Sequence, residues 1–226
     1  MKKRYEYFLI YVAILTVILF IPVLIDVLFV YNAGENSGFD EIIGLQKSKD
    51  AIYGTALNQN SFLYKLEMVR EEKPKIIALG SSRVLQFREE YFTKSFVNCG
   101  GAMHYLKEGV LFLQEMVKYH KPDVIILGLD CWWFNEDYLQ PTGFSHHQNN
   151  GKTLTIEKLT TPIDLIYKGT ISFKDFIDIL ICKYPKNIVS DNYSIGLQAI
   201  KMQGGFRKDG SYFYSGYIFG FKKSDN

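Results

Sequence analysis

From Phe8 to Ile25 the chain reads FLIYVAILTVILFIPVLI, an 18-residue stretch without a charge. Roughly 18 to 20 consecutive apolar residues are what a helix needs to cross a bilayer, where every backbone polar group must be satisfied within the segment. The run shows no amphipathic period, which argues against a buried core helix. It is long for the apolar part of a secretory signal and no small-residue cleavage site follows, so an uncleaved signal anchor is expected. Pro22 is tolerated where local adjustments satisfy the freed carbonyl, and Asp26 can sit at the far interface. Lys2, Lys3 and Arg4 precede the run, whereas Glu35, Asp40 and Glu41 follow it before the first lysine, Lys47. The positive-inside bias then keeps the N-terminus in the cytoplasm and puts the remainder outside.

Residues 32–60, with NAGENSG and no sustained apolar period, read as a membrane-proximal linker, and residues 61–226 as one extracytoplasmic domain. An apolar fraction of 47% is enough for a core. A net charge of +2, with basic residues dispersed, lacks the footprint of a nucleic-acid binder. The 16 Tyr and 17 Phe suit packed rings or flat apolar ligands such as sugars, without choosing between them. Three cysteines with no CxxC pair indicate neither a zinc site nor a disulfide framework, and no metal or cofactor is expected.

Ser61 to Glu72 has helical spacing and ends at Lys73-Pro74. Lys75 to Leu79, Ser95 to Cys99 and Asp123 to Asp130 read as strands, the last as a continuous apolar run of the buried parallel kind. Between the second and third, His104 to Tyr119 has Leu106, Val110, Leu113 and Val117 on one helical face. Strand, strand, helix, strand implies a parallel sheet covered by helices. If the first strand lies between the other two, Cys99 and Cys131 are two strand spacings of roughly 4.8 Å apart, beyond bridging reach. Trp132 to Thr155 reads as a long loop over the sheet edge, Thr160 to Tyr167, Ser172 to Tyr184 and Ile195 to Met202 as helices, with Ser172 and Asp175 as a capping box, and Asp209-Gly210 as a hairpin turn.

The first strand ends in KIIALGSSR, where Gly80 hands over to two serines and an arginine. Strand ends of this kind are where open α/β sheets carry their ligands. Ser81 and Ser82 have an ordinary reading as helix caps. In context, however, the block from Lys75 to Asn135 resembles the SGNH or GDSL-type hydrolases, in particular membrane-anchored relatives that add or remove acyl groups on cell-surface polysaccharide and teichoic acid. The resemblance implies a flavodoxin-like, SGNH-type three-layer α/β domain. It makes Ser82 the nucleophile, with Ser81 in the place of the usual aspartate, and gives the oxyanion to the amide of Gly100 or Gly101. Asp130 stands where the family has an oxyanion-donating asparagine. An ionised carboxylate cannot donate, so Asp130 must be protonated or serve otherwise, for example by orienting Arg83.

The family's C-terminal Asp-x-x-His block is not found. His104 is the best substitute base by position; His120 closes a helix, and His146 and His147 lie in the loop. A C-terminally shortened enzyme and a degenerate member that only binds both fit. Arg83 could hold an anionic or polyol substrate, and Trp132 and Trp133 could stack on a sugar ring or wedge the loop into the core. The implied partners are the lipid bilayer, a cell-surface glycan or acyl donor, and a membrane acyltransferase.

Overall fold

The computed structural model describes residues 2–55, 57, 60–135, 156–169, 171–182, 193–202 and 204–214. The apolar N-terminal run belongs to one helix, α1 (Lys2–Ala33), long and apolar enough to cross a membrane. Its side chains are exposed from Arg4 to Leu24 and become buried at Asp26, Phe29, Val30 and Ala33. The last turns of α1 are therefore part of the folded domain. Gly196 N–H donates to Ala33 O at 2.7 Å. The buried Glu35 carboxylate accepts from Leu197 N at 2.6 Å and Leu57 N at 2.9 Å.

The stretch read as linker is structured. It forms α2 (Phe39–Lys49) and the short strand β1 (Ile52–Tyr53). Phe39, Ile42 and Ile43 of α2 enter the main core. Gly44, Gln46 and the charges dilute that stripe in sequence, but a one-sided stripe suffices once another helix covers it.

α3 (Ser61–Glu72) has the bounds read from sequence; Asn60 caps it by accepting from Leu63 N, and Lys73 closes it in the left-handed conformation. The three expected strands are β2 (Ile76–Gly80), β3 (Phe96–Gly100) and β4 (Val124–Leu127), all parallel in the order β3-β2-β4, with α4 (Leu106–Met116) between the last two in sequence. Alternation divides the sheet into two faces. Ile77, Leu79, Val97 and Cys99 share one core with Met68 and Val69 of α3 and Phe112 and Met116 of α4. On the other face Asn98 holds the connection after β2, and Phe92 stacks on Phe96 with ring centroids 4.4 Å apart.

β4 is a correction to the sequence reading. Val124, Ile125 and Leu127 are 45%, 42% and 45% exposed, so this apolar strand is an open edge among the described residues. An apolar run reports what a strand is made of, and its burial depends on neighbours that the run does not encode.

Beyond the sheet come α5 (Ile156–Tyr167) and α6 (Phe173–Ile181), which pack on the end of α1. The capping box at Ser172 and Asp175 is formed. Next are β5 (Ser194–Ile195), α7 (Leu197–Met202), β6 (Gly205–Phe206) and β7 (Tyr212–Phe213). The second sheet has the order β5-β1-β6-β7, and β6 and β7 are the expected hairpin, with Gly210 at φ +80°. The chain is thus mixed α/β, with a parallel sheet and one long apolar N-terminal helix.

Candidate functional site

Three glycines at the C-terminal edge of the parallel sheet all face Val84, although a Cβ on Gly80 would meet Gly128 O still closer, at 2.8 Å, and one on Gly100 would meet Asn98 Oδ1 at 2.8 Å. A Cβ on Gly80 would lie 3.0 Å from Val84 Cγ1, one on Gly100 2.8 Å from Val84 Cγ2, and one on Gly128 would overlap Val84 Cγ1. Val84 therefore plugs the ends of all three strands, which draws the turn after β2 down onto the sheet. Asn98, fully buried in mid-strand, completes the clamp: its Nδ2 donates to Val84 O at 2.7 Å and Phe87 O at 2.8 Å. Asn98 was missed as a structural hub. Its signal was a lone amide inside the apolar strand FVNCG.

On this clamp, Ser81 caps the 3-10 turn Ser82–Gln86 through Arg83 N, and Ser82 begins the turn with its side chain exposed. The glycine amides expected to form the oxyanion site are already used. Gly100 N–H donates to Asn98 Oδ1 at 2.7 Å, and Gly101 N–H to Gly80 O at 3.0 Å. Gly101 is nonetheless required to be glycine, since its φ is +77°. An amide bound this way must break its bond before it can serve an oxyanion.

Asp130 is 2% exposed, and its Oδ1 pairs with Arg83 Nε at 3.4 Å. The guanidinium also lies 4.2 Å from the centre of the Trp132 ring. Arg83 is thus held between a carboxylate and an aromatic face, which is the orienting role open to Asp130 from sequence. Asp130 Oδ2 and the indole Nε1 of the neighbouring Trp133 are buried with no hydrogen-bond partner among the described residues. Of the two tryptophans, Trp133 belongs to the core and Trp132 is covered by Arg83, so the face of Trp132 that Arg83 covers is not open to a sugar.

His104 stands four residues beyond the end of β3 and is oriented by an acid that sequence reading did not single out. Glu108, 3% exposed in the first turn of α4, accepts from His104 N–H at 2.6 Å and pairs with Nδ1 at 3.2 Å. The hydrogen bond to this carboxylate raises the His104 pKa, against the lowering effect of burial. A carboxylate on Nδ1 leaves Nε2 to face a reacting group, as in a base and orienter pair. His104 and Ser82 follow adjacent parallel strands. His120 is removed from the site. Its Nε2 bonds Pro74 O at 2.7 Å, before β2 begins, so it belongs to the opposite edge of the sheet. His146 and His147 lie outside the described residues.

A cavity of about 210 Å³ lies elsewhere, lined by Tyr53, Tyr64, Phe206 and Tyr212 with Asn60 and Gln198. It includes none of the site residues read from sequence. Behind it Lys65, fully buried, donates to Gly210 O and lies 4.0 Å from the centre of the Phe206 ring, and burial pushes its ammonium down to about 7. Asp209 supports the same hairpin, accepting from Ser211 Oγ at 2.6 Å and Glu89 N at 2.9 Å. These buried polar groups pin the hairpin to α3 and β3. Among the described residues no cluster of metal-ligating side chains occurs.

Comparisons with protein-family models, with curated proteins and with solved structures find no match to this chain.

Proposed function

We propose that this protein is a membrane-anchored, SGNH-like member of the cell envelope, with its N-terminus in the cytoplasm and its domain outside, that handles acyl groups on surface glycans. The observation that carries the reading is the gathering of Ser82, the Arg83–Asp130 pair and the His104–Glu108 pair at one end of a parallel sheet. In this reading Ser82 Oγ attacks the carbonyl of an acyl donor and His104 Nε2 takes the hydroxyl proton, then gives it to the donor's alcohol or thiol as the bond from the acyl carbon to that group breaks. An acyl-serine forms, which a glycan hydroxyl or water then resolves. Arg83 supplies a positive charge beside the nucleophile, and Asp130 positions it. A membrane acyltransferase is the natural source of the acyl group.

A second reading, a catalytically inactive protein that uses the same edge to bind glycan or a membrane partner, is favoured by one specific observation. The Gly100 and Gly101 amides are both engaged in protein hydrogen bonds.

The two readings separate by treating the full-length protein in vesicles with a fluorophosphonate probe and an aryl acetate. The enzyme reading expects labelling and turnover that Ser82→Ala abolishes and His104→Gln reduces by roughly 100-fold or more, the range of general-base contributions. Absence of Ser82-dependent labelling and turnover would leave the binding reading.

A further inference from the structure

We infer that α5 and α6 form an interfacial collar around the emerging end of α1, with their outer apolar faces seated in the lipid headgroup and upper acyl region. The inference rests on the membrane-spanning reading of α1 and adds a second, peripheral membrane contact to it.

In α5, Ile156, Ile163 and Tyr167 are 81%, 60% and 89% exposed. Their spacing of seven and four residues puts them on one helical face. In α6, Phe173, Ile177 and Ile181 recur every four residues and are 69%, 39% and 78% exposed. The opposite side of the pair is already used, because Leu165, Ile166, Phe176, Ile179 and Leu180 pack against Phe29, Val30 and Ala33 of α1. Two helices with one face in the core and a second apolar face uncovered need an apolar phase outside the protein.

Their position supplies that phase. From Phe8 to Ile25, the charge-free part of α1 covers about 27 Å at 1.5 Å per residue, close to the roughly 30 Å of a hydrocarbon core. The hydrocarbon boundary then falls near Asp26. The α6 contacts begin one turn further on, with Phe29 and Phe176 stacked at 5.1 Å and Asn32 Nδ2 donating to Leu180 O at 2.7 Å. A helix resting on α1 about 5 Å above that boundary, with a radius of about 5 to 6 Å, brings its lower face to the boundary, where interfacial amphipathic helices bury their apolar side. Lys174 is exposed beside the apolar stripe of α6, within reach of lipid phosphates, while Lys168 Nζ is paired with Asp164 Oδ2 at 2.7 Å.

Nitroxide accessibility on the full chain tests this. In a background of Cys131→Ser and Cys182→Ser, with the buried Cys99 kept, single labels are placed at Ile163→Cys, Ile177→Cys and Ile181→Cys. Leu15→Cys reports the span, and Val117→Cys at the end of α4 reports an exposed apolar residue remote from α1. All five sites are exposed, so the label replaces no core contact. In phosphatidylcholine and phosphatidylglycerol vesicles, the ratio of oxygen to nickel-chelate collisions is expected to be several-fold higher at 163, 177, 181 and 15 than at 117. A lipid signature at 15 with aqueous values at 163, 177 and 181 would overturn the collar while leaving the span intact. An aqueous value at 15 would overturn the span and the collar with it.

Discussion

Two buried carboxylates flank the candidate nucleophile, Asp130 after β4 and Glu108 after β3, and they are satisfied to different degrees. Each side chain is 3% or 4% exposed, and each holds a basic partner that is 63% exposed. Glu108 takes two hydrogen bonds at one oxygen, from the backbone and the ring of His104, at the electropositive start of a helix. Asp130 makes one long contact to Arg83, and its second oxygen has no partner among the described residues. Burial alone therefore does not tell a structural acid from one kept for another purpose. Glu108 is fastened into the fold, whereas Asp130 carries unspent acceptor capacity at a sheet edge where ligands bind.

The contrast can be broken from either side. The largest effect is expected from Gly128→Ala, whose methyl must displace Val84 and with it the Ser82–Arg83 turn. Destabilisation of about 3 kcal/mol, the upper part of the overpacking range, should appear as a lower urea midpoint. Val84→Ala in the same chain should recover part of it, and the His104 titration followed by NMR should be unchanged. A shifted His104 titration would mean that the two pairs are one coupled unit.

Next comes Glu108→Gln, expected to cost about 1–2 kcal/mol through the loss of charged hydrogen bonds. It should also lower the His104 pKa, since the burial that opposes the raising effect of Glu108 then acts alone. In the native protein the His104 pKa lies above its unfolded value of about 6.5. The stabilisation from the charged pair is therefore complete below that pH and is lost as pH rises through the higher folded value. Denaturation midpoints measured across this window should fall for the native protein, and that fall should be absent in Glu108→Gln.

Asp130→Asn should have the smallest effect on stability, under about 1 kcal/mol, because its single partner is solvent-screened. A loss as large as that of Glu108→Gln would show that Asp130 is structural after all. On the enzyme reading the same substitution should lower aryl acetate turnover far more than it lowers stability.

Much of this frame was legible because its signals are local. Pro74 and Pro122 punctuate the chain before β2 and β4, the Ser172 and Asp175 capping box forms as spaced, and Asp209-Gly210 makes its turn. What escaped depends on partners distant in sequence. α2 is helical because α3 covers its narrow stripe, and the exposure of β4 follows from what is beside it. Glu108 had the signature of a solvated i, i+4 partner of His104 and was buried by packing at the head of α4. The glycines read as oxyanion donors are glycines for Val84 and for a positive φ, causes that no motif distinguishes.

The ties of Ala33 to Gly196 and of Glu35 to Leu57 and Leu197 leave no hinge between α1 and the domain. In a bilayer thinner than its apolar length, a spanning helix responds by leaning. On the proposed spanning reading, a lean of the turns of α1 beyond Pro22 would be passed through those bonds to the domain and would change the height of the Ser82 edge.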